Sequence, residues 1–333
     1  LGTIGKILLA HFQVLYAFSQ LHSIRWPALF ASYLSTLAPL SFQFLSALPL
    51  DCLLPMQIDL QERMLTMLVL PIVGAVTVLV LAMLAACCRL PRAERRLCTV
   101  ALRPEVCTLQ LWIVLLFYPS LAKTTLIPFD CVDVGEGRLL RANPADSCEG
   151  SGWYTLATLG GLGTAAYSFG FPLLCFVVAR AAHHAQVTTA SSAATDGTPA
   201  GGVASAPAMP DAATAGDGEA SQVKRARLLL KSYTAEHWYW ESLDIFRKYL
   251  LTSVVLVIEN DTLFQVYFGL VVCICFALLV ARHQPYASPL HGRVQMLALT
   301  QLAFTYMSGM LFFDDGGAVP RWWEEEERKW GII

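Results

Sequence analysis

Long runs of apolar residues without charge alternate along the chain with short polar or basic segments. A membrane-spanning helix needs about 20 mostly apolar residues, and the run over 64–88 meets this requirement with no charge before Arg89. Further spans are predicted over 4–21, 106–122, 154–179, 249–258, 263–281 and 294–313. The first of these contains one charge, Lys6, and the short run over 249–258 suffices only if a helix from about 241 enters the membrane obliquely.

The segment over 27–50 fits two structures. It has no charged residue, but it contains Pro39, Pro49 and many Ser, Thr and Gln residues. An interfacial or re-entrant helix therefore fits as well as a full span. We predict an all-α transmembrane bundle of about seven spans, or eight if 27–50 crosses.

The composition excludes several classes of protein. Hydrophobic residues make up 56% of the chain and charged residues 14%, with a mean hydropathy of +0.53. Soluble domains carry about a quarter charged residues, so a soluble all-helical protein is rejected. The net charge of −2 gives no indication of a nucleic-acid partner. Phosphate-binding and zinc-binding motifs are lacking in the sequence, so we expect no enzyme, no cofactor and no metal site, with the lipid bilayer as partner.

A segment of low complexity divides the chain. The residues over 186–223 are rich in Ala, Gly, Ser, Thr and Pro and include no aromatic residue, which predicts a disordered cytoplasmic linker. The predicted domains are an N-terminal helix group (1–182), the linker (183–225), an interfacial helix with a C-terminal three-helix group (226–313) and an amphipathic acidic and aromatic tail (314–333). Because the chain opens with Leu1 and shows no signal peptide, we expect it to be part of a longer protein.

The distribution of Lys and Arg predicts which loops face the cytoplasm. Basic residues concentrate after the spans over 64–88 and 154–179 and before the last span, which places these connections inside. The opposite side receives the loop over 124–153, in which Cys131 and Cys148 are candidates for a disulfide. It also receives Asn260, the first residue of a glycosylation sequon. We expect a multi-pass protein of the plasma membrane.

Two local patterns have both a functional and a structural interpretation. Cys87 and Cys88 lie beside Arg89 at the end of a predicted span, where cysteines are candidates for S-palmitoylation. Two buried small apolar residues are an equally good interpretation. Gly160 and Gly163 lie within an apolar helix, which favours close helix packing over nucleotide binding.

The stretch over 238–248 combines aromatic and charged residues. Its interfacial residues are Trp238, Trp240, Glu241, Asp244, Arg247 and Lys248. Aromatic rings suit the headgroup level, and the two cations can extend toward lipid phosphates. Asp244 can pair with Arg247 or Lys248 at helical spacing, and Glu241 can reach the neighbours of Asp244 one turn on. This pattern predicts an amphipathic helix along the inner leaflet, acting either in gating or as a plain anchor.

A few polar side chains lie within the predicted spans. They are His11, Gln13, Gln110, Gln265, Gln295 and Gln301. Intramembrane polar groups are functional candidates, although amides also link helices without further function. The predicted spans contain no Asp, Glu or Arg near their middle, which argues against a proton-coupled transporter.

Several short segments resemble an ordered set of landmarks. These are Gly5–Leu9 with His11–Val14, Trp26-Pro27, Asp51–Pro55, Phe129–Cys131, Trp240-Glu241 with Arg247-Lys248, and Pro285-Tyr286. Together they resemble the TRP-like C-terminal membrane domain of large protist and algal surface proteins with cysteine-rich, Eph-receptor-like or EGF-like repeats. That region is similar to fungal TRP-like and flavin-carrier proteins.

The resemblance implies a function in the membrane. A domain of this kind is expected to form or gate a cation-permeable pathway, as a homo-oligomer. Two alternatives stay open: a non-conducting multi-pass anchor for an adhesive or sensory ectodomain, and a carrier of lipids or small molecules.

Overall fold

The computed structural model of the protein describes residues 2–21, 24–37, 60–89, 104–135, 137–195, 229–258 and 262–313. Ten α-helices lie in these ranges: α1 (Thr3–Ser19), α2 (Ala28–Thr36), α3 (Leu60–Arg89), α4 (Pro104–Leu126), α5 (Ser151–Gly163), α6 (Phe171–Thr195), α7 (Trp240–Tyr249), α8 (Val255–Val257), α9 (Leu263–His283) and α10 (Pro289–Leu311). A π-helical turn joins α5 to α6 (Thr164–Gly170, called π1), and another joins α7 to α8 (Leu250–Val254, called π2).

Four helical stretches in the described ranges are long and apolar enough to cross a membrane. They are Leu60–Ala85, Glu105–Phe129, Ser151–Thr188 and Leu263–His283, and they coincide with four of the predicted spans. The first has only 11% of its apolar window buried, so most of its aliphatic side chains face outward, as a lipid-facing helix requires.

The other three predicted spans are helical, but each is shorter or more polar than the four above. α1 has 17 residues, and the stretch from α7 to α8 begins with charged residues. α10 has 23 residues but includes His291, Arg293 and two Gln side chains, which lower its hydropathy. The count of seven spans therefore stays a prediction.

The helices pack around two hydrophobic cores that meet at α7. One core joins α1, π2, α9 and α10 around Phe18, Leu251 and Tyr306. The other joins α4, α6 and α7 around Tyr118 and Ile245. The sequence grouped α1 with the N-terminal helices, whereas the structure packs it against the C-terminal ones, because its apolar face is covered by α10.

Glycines allow close contact at several helix crossings. A Cβ atom on Gly160 would lie 2.6 Å from the carbonyl oxygen of Thr125, and one on Gly163 would lie 2.6 Å from the Thr125 methyl group. This agrees with the packing interpretation of the two glycines. Gly269 approaches the ring of Tyr306 in the same way, which brings α9 close to α10.

The loop after α4 forms a small sheet, which the all-α prediction did not include. Strands β1 (Cys131–Val134), β2 (Gly137–Leu140) and β3 (Asn143–Ser147) pair antiparallel in the order β1-β2-β3. Cys131 and Cys148 form a disulfide, so the predicted pairing is confirmed. The disulfide joins the first residue of β1 to the residue that follows β3, so it links the two ends of the sheet.

Some predictions lie partly or wholly outside the described residues. α6 continues to Thr195, so the linker predicted from 186 begins later than expected, and 196–228 are not described. Asn260, the tail over 314–333 and most of 27–50 are also outside. α2, with nine residues, is too short to cross a bilayer of about 30 Å by itself. Cys87 and Cys88 lie in the last turn of α3, and their palmitoylation stays a prediction.

Candidate functional site: a buried charge cluster

Five charged side chains are buried together where α1 meets α7. The charge cluster consists of Lys6, Glu241, Asp244, Arg247 and Lys248, each no more than 7% exposed. The helix that supplies four of them has Glu241 in its first turn and both of its bases in its last turn. That order complements the helix dipole, which is one reason why such a charged sequence forms a helix here.

Within α7, Asp244 is the centre of two ion pairs. Its Oδ1 accepts hydrogen bonds from Nε of Arg247 at 3.0 Å and from Nη2 at 2.7 Å. Its Oδ2 lies 3.1 Å from Nζ of Lys248. The predicted pairing of Asp244 at helical spacing is therefore confirmed. Both bases turn toward this acid, however, and not toward lipid phosphates.

Glu241 pairs across the fold instead of along its own helix. Its carboxylate accepts a hydrogen bond from the Lys6 ammonium of α1 and another from the phenol of Tyr233 at 3.0 Å. The prediction that Glu241 reaches the neighbours of Asp244 is wrong, because Lys6 offers it a buried cation directly. Glu241 Oε1 is buried and has no hydrogen-bond partner among the described residues.

Tyr233 connects the charge cluster to the turn between α9 and α10. Burial, together with the nearby Glu241 carboxylate, raises the pKa of Tyr233 well above its usual value, so the phenol keeps its proton and donates it. The Tyr233 ring lies 5.2 Å from that of Tyr286. The backbone N–H of Thr234 donates to the Pro285 carbonyl at 2.8 Å. These contacts hold the start of α7 against the α9–α10 turn.

The helix α7, which the sequence predicts to lie along the inner leaflet, is thus mostly buried within the protein. Trp240 is 3% exposed, and its ring lies 6.0 Å from that of His283. Trp238 stacks on His183 of α6 at 5.6 Å. An amphipathic helix can bury its charged face only when partners satisfy the charges, and here Lys6 and the intrahelical pairs do so.

Two π-helical turns lie beside the charge cluster. Tyr118 of α4 donates a buried hydrogen bond to the Ser168 carbonyl of π1 at 3.0 Å. Phe169 of π1 lies 5.6 Å from the ring of Tyr249, the residue before π2. Thr252 of π2 donates to the carbonyl of Lys248 at 2.7 Å. π-helical turns occur frequently at functional sites, and here both adjoin the end of α7.

The predicted intramembrane polar residues do not converge on one site. Gln13 of α1 donates to the Leu116 carbonyl of α4 at 3.1 Å, and Gln301 donates to Thr305 on its own helix at 3.1 Å. His11 lies near Gln301 and Arg247, at the edge of the charge cluster. Gln265 and Gln295 are buried and Gln110 is half-buried. Among these amides, the printed hydrogen bond of Gln13 links two helices, whereas that of Gln301 stays within its own helix.

Sequence reasoning did not identify Lys6 and Tyr233 as members of the site. The signal for Lys6 was present: a single cation in an apolar run requires a buried anion elsewhere. Tyr233 had no such signal. Among the described residues, no group of three His, Cys, Asp or Glu side chains is placed to hold a metal ion.

Comparisons of the chain with protein-family models, with curated proteins and with solved structures find no match. The charge cluster must therefore be interpreted from its own chemistry.

Proposed function

We propose that the chain is a seven-span membrane domain of the plasma membrane with the disulfide loop outside. Lys6 and Glu241 join the first turns of α1 and α7, so these helices start on the same side. The N–H of Arg25, just after α1, donates to the carbonyl of Phe312 at the end of α10 at 3.0 Å. α1 and α10 therefore end together, which supports a segment over 27–50 that stays on the outer side.

Labelling with a membrane-impermeant maleimide tests this topology on intact cells. Val134 is 54% exposed in the disulfide loop, and Val134→Cys should react without permeabilisation. Ser205→Cys, in the predicted linker, should react only after permeabilisation. Labelling of both variants from one side would contradict the proposed topology.

We further propose that the domain is TRP-like and gates a cation-permeable pathway as a homo-oligomer. In this proposal α1 and α7 move relative to each other at the charge cluster during gating. The observation that supports this is the burial of five charged side chains together inside a mostly apolar helical bundle. Buried ionic groups in membrane proteins are costly and mark functional sites. Because Glu241 Oε1 has no partner among the described residues, this carboxylate can exchange partners when α1 moves relative to α7.

Recording from the purified full chain in planar bilayers tests the proposed conductance. We expect cation-selective currents under stretch, voltage or calcium, with a changed open probability in Glu241→Gln. Glu236→Gln removes an exposed acid just before α7 and is the matched control, with unchanged currents. Folded protein that conducts under none of these stimuli would overturn the proposal.

A non-conducting anchor is the second candidate. It is favoured by the pairing of all five cluster charges. A rigid platform would keep the cluster in one arrangement. In that case the bilayer recordings would be silent, while Glu241→Gln would still lower thermal stability.

A further inference from the structure

An apolar groove runs between α9 and α10 on the outer surface of the bundle. It has a volume of about 290 Å³, and Thr300 is the only polar side chain among those that line it. Ala277 and Ala303 contribute to its floor, and the exposed side chains of Ile274, Leu278 and Phe304 form its rims. Small residues between larger ones leave this space open along the helix pair.

The part of α9 that lines the groove is about as long as one membrane leaflet is thick. Its lining on α9 extends from Leu270 to Ala281, about 16 Å at 1.5 Å per residue. That is half of a hydrocarbon core of about 30 Å. On α9 the groove ends at Ala281, two residues before the end of that helix. This end of the groove therefore lies in the leaflet beside the α9–α10 turn, which is the cytoplasmic one in the proposed topology.

Two arginines lie at the end of the groove on the same helix faces. Arg282 follows Leu278 by four residues on α9, and Arg293 precedes Met296 by three residues on α10. Residues at these spacings share a helix face. Both arginines are exposed, and neither has an ion-pair or hydrogen-bond partner in the described part of the chain.

We propose that this groove binds an anionic phospholipid of the cytoplasmic leaflet. One acyl chain fills the groove between Ala277 and Ala303, and the phosphate lies between Arg282 and Arg293. Apolar surface in the membrane suits an acyl chain, and guanidinium groups bind phosphate through two parallel hydrogen bonds. The proposal requires that α9 and α10 cross the membrane, but it does not require that the domain conducts ions.

Native mass spectrometry of the full chain in detergent tests the lipid site. The probes are dioleoyl phosphatidylglycerol and dioleoyl phosphatidylcholine, which share their acyl chains and differ in headgroup charge. We expect one phosphatidylglycerol to remain bound at concentrations where phosphatidylcholine does not. Arg282→Gln and Arg293→Gln should each weaken phosphatidylglycerol binding by about tenfold or more, since each loses the charged hydrogen bonds of one guanidinium group.

Two further variants separate the groove from general surface charge. Arg180→Gln removes an exposed arginine from α6, which lies on the same predicted side, and should leave binding unchanged. Ala277→Leu fills the groove floor and should reduce binding of phosphatidylglycerol, with a control melting curve to show that the variant folds.

Three results would overturn the lipid site. The first is equal binding of both lipids by the wild-type chain, or phosphatidylglycerol binding that neither Arg282→Gln nor Arg293→Gln weakens. The second is a loss of binding in Arg180→Gln as large as that in Arg282→Gln. The third is a dimer whose formation Ala277→Leu abolishes, since a second copy of the chain would then occupy the groove.

Discussion

Glu241→Gln is the most informative single perturbation of the charge cluster. Glu241 is 1% exposed and pairs with Lys6, which is 7% exposed. Removing one partner of a buried ion pair costs about 3–5 kcal/mol, because the other charge stays buried without compensation. The formal charge of the cluster rises from +1, with three bases and two acids, to +2. The amide can still accept the hydrogen bond from Tyr233, so the loss isolates the charge.

The assay is thermal unfolding of the full chain in detergent, followed by size-exclusion chromatography. We expect Glu241→Gln to lower the free energy of unfolding by about 3–5 kcal/mol. Lys6→Met together with Glu241→Gln removes both charges and returns the cluster to +1. This double variant should be less destabilised than the sum of the single variants. Glu236→Gln, which changes an exposed acid, should stay within about 0.5 kcal/mol of the wild type.

Two outcomes would refute this reasoning about the cluster. Glu241→Gln could unfold at the same temperature as Glu236→Gln, which would mean that the Lys6 pair contributes nothing. Alternatively, the double variant could be destabilised by the full sum of the two single variants. In that case Lys6 and Glu241 would act independently and not as a pair.

Two further predictions concern helix packing and the π turns. Gly269→Ala should destabilise the protein by about 1–3 kcal/mol, because its Cβ atom would overlap the Tyr306 ring. The control is Gly161→Ala, which has open space around it and should be neutral or stabilising. Equal melting temperatures of the two variants would contradict the close packing of Gly269. Tyr118→Phe removes the buried hydrogen bond to the Ser168 carbonyl and should cost about 1–3 kcal/mol. Hydrogen exchange should then increase at π1, and unchanged exchange there would contradict a role for this bond.

Much of the fold could be predicted from local patterns. Apolar runs identify α3, α4, the continuous stretch of α5, π1 and α6, and α9, because a membrane-spanning helix requires such runs. The disulfide between Cys131 and Cys148 follows from two cysteines at the ends of one polar loop. The pairing of Asp244 with Arg247 and Lys248 follows from helical spacing alone.

The remaining features depend on contacts that are distant in sequence. Lys6 and Glu241 are separated by most of the chain, so no local pattern connects them. An exposed amphipathic helix and a buried one have the same residue spacing, and only the partner on α1 distinguishes them. The groove between α9 and α10 depends on which faces of two helices meet, and hydrophobic periodicity does not determine this.

A charge swap between Lys6 and Glu241 tests the central claim most directly. Lys6→Glu, Glu241→Lys and the double variant would be recorded as purified full chains in planar bilayers. Because the pair is proposed to connect α1 to α7 in gating, each single swap should change the open probability of the cation current, and the double swap should restore it toward the wild-type value. Folded variants with the same open probability as the wild type, or wild-type protein without any current, would contradict the claim.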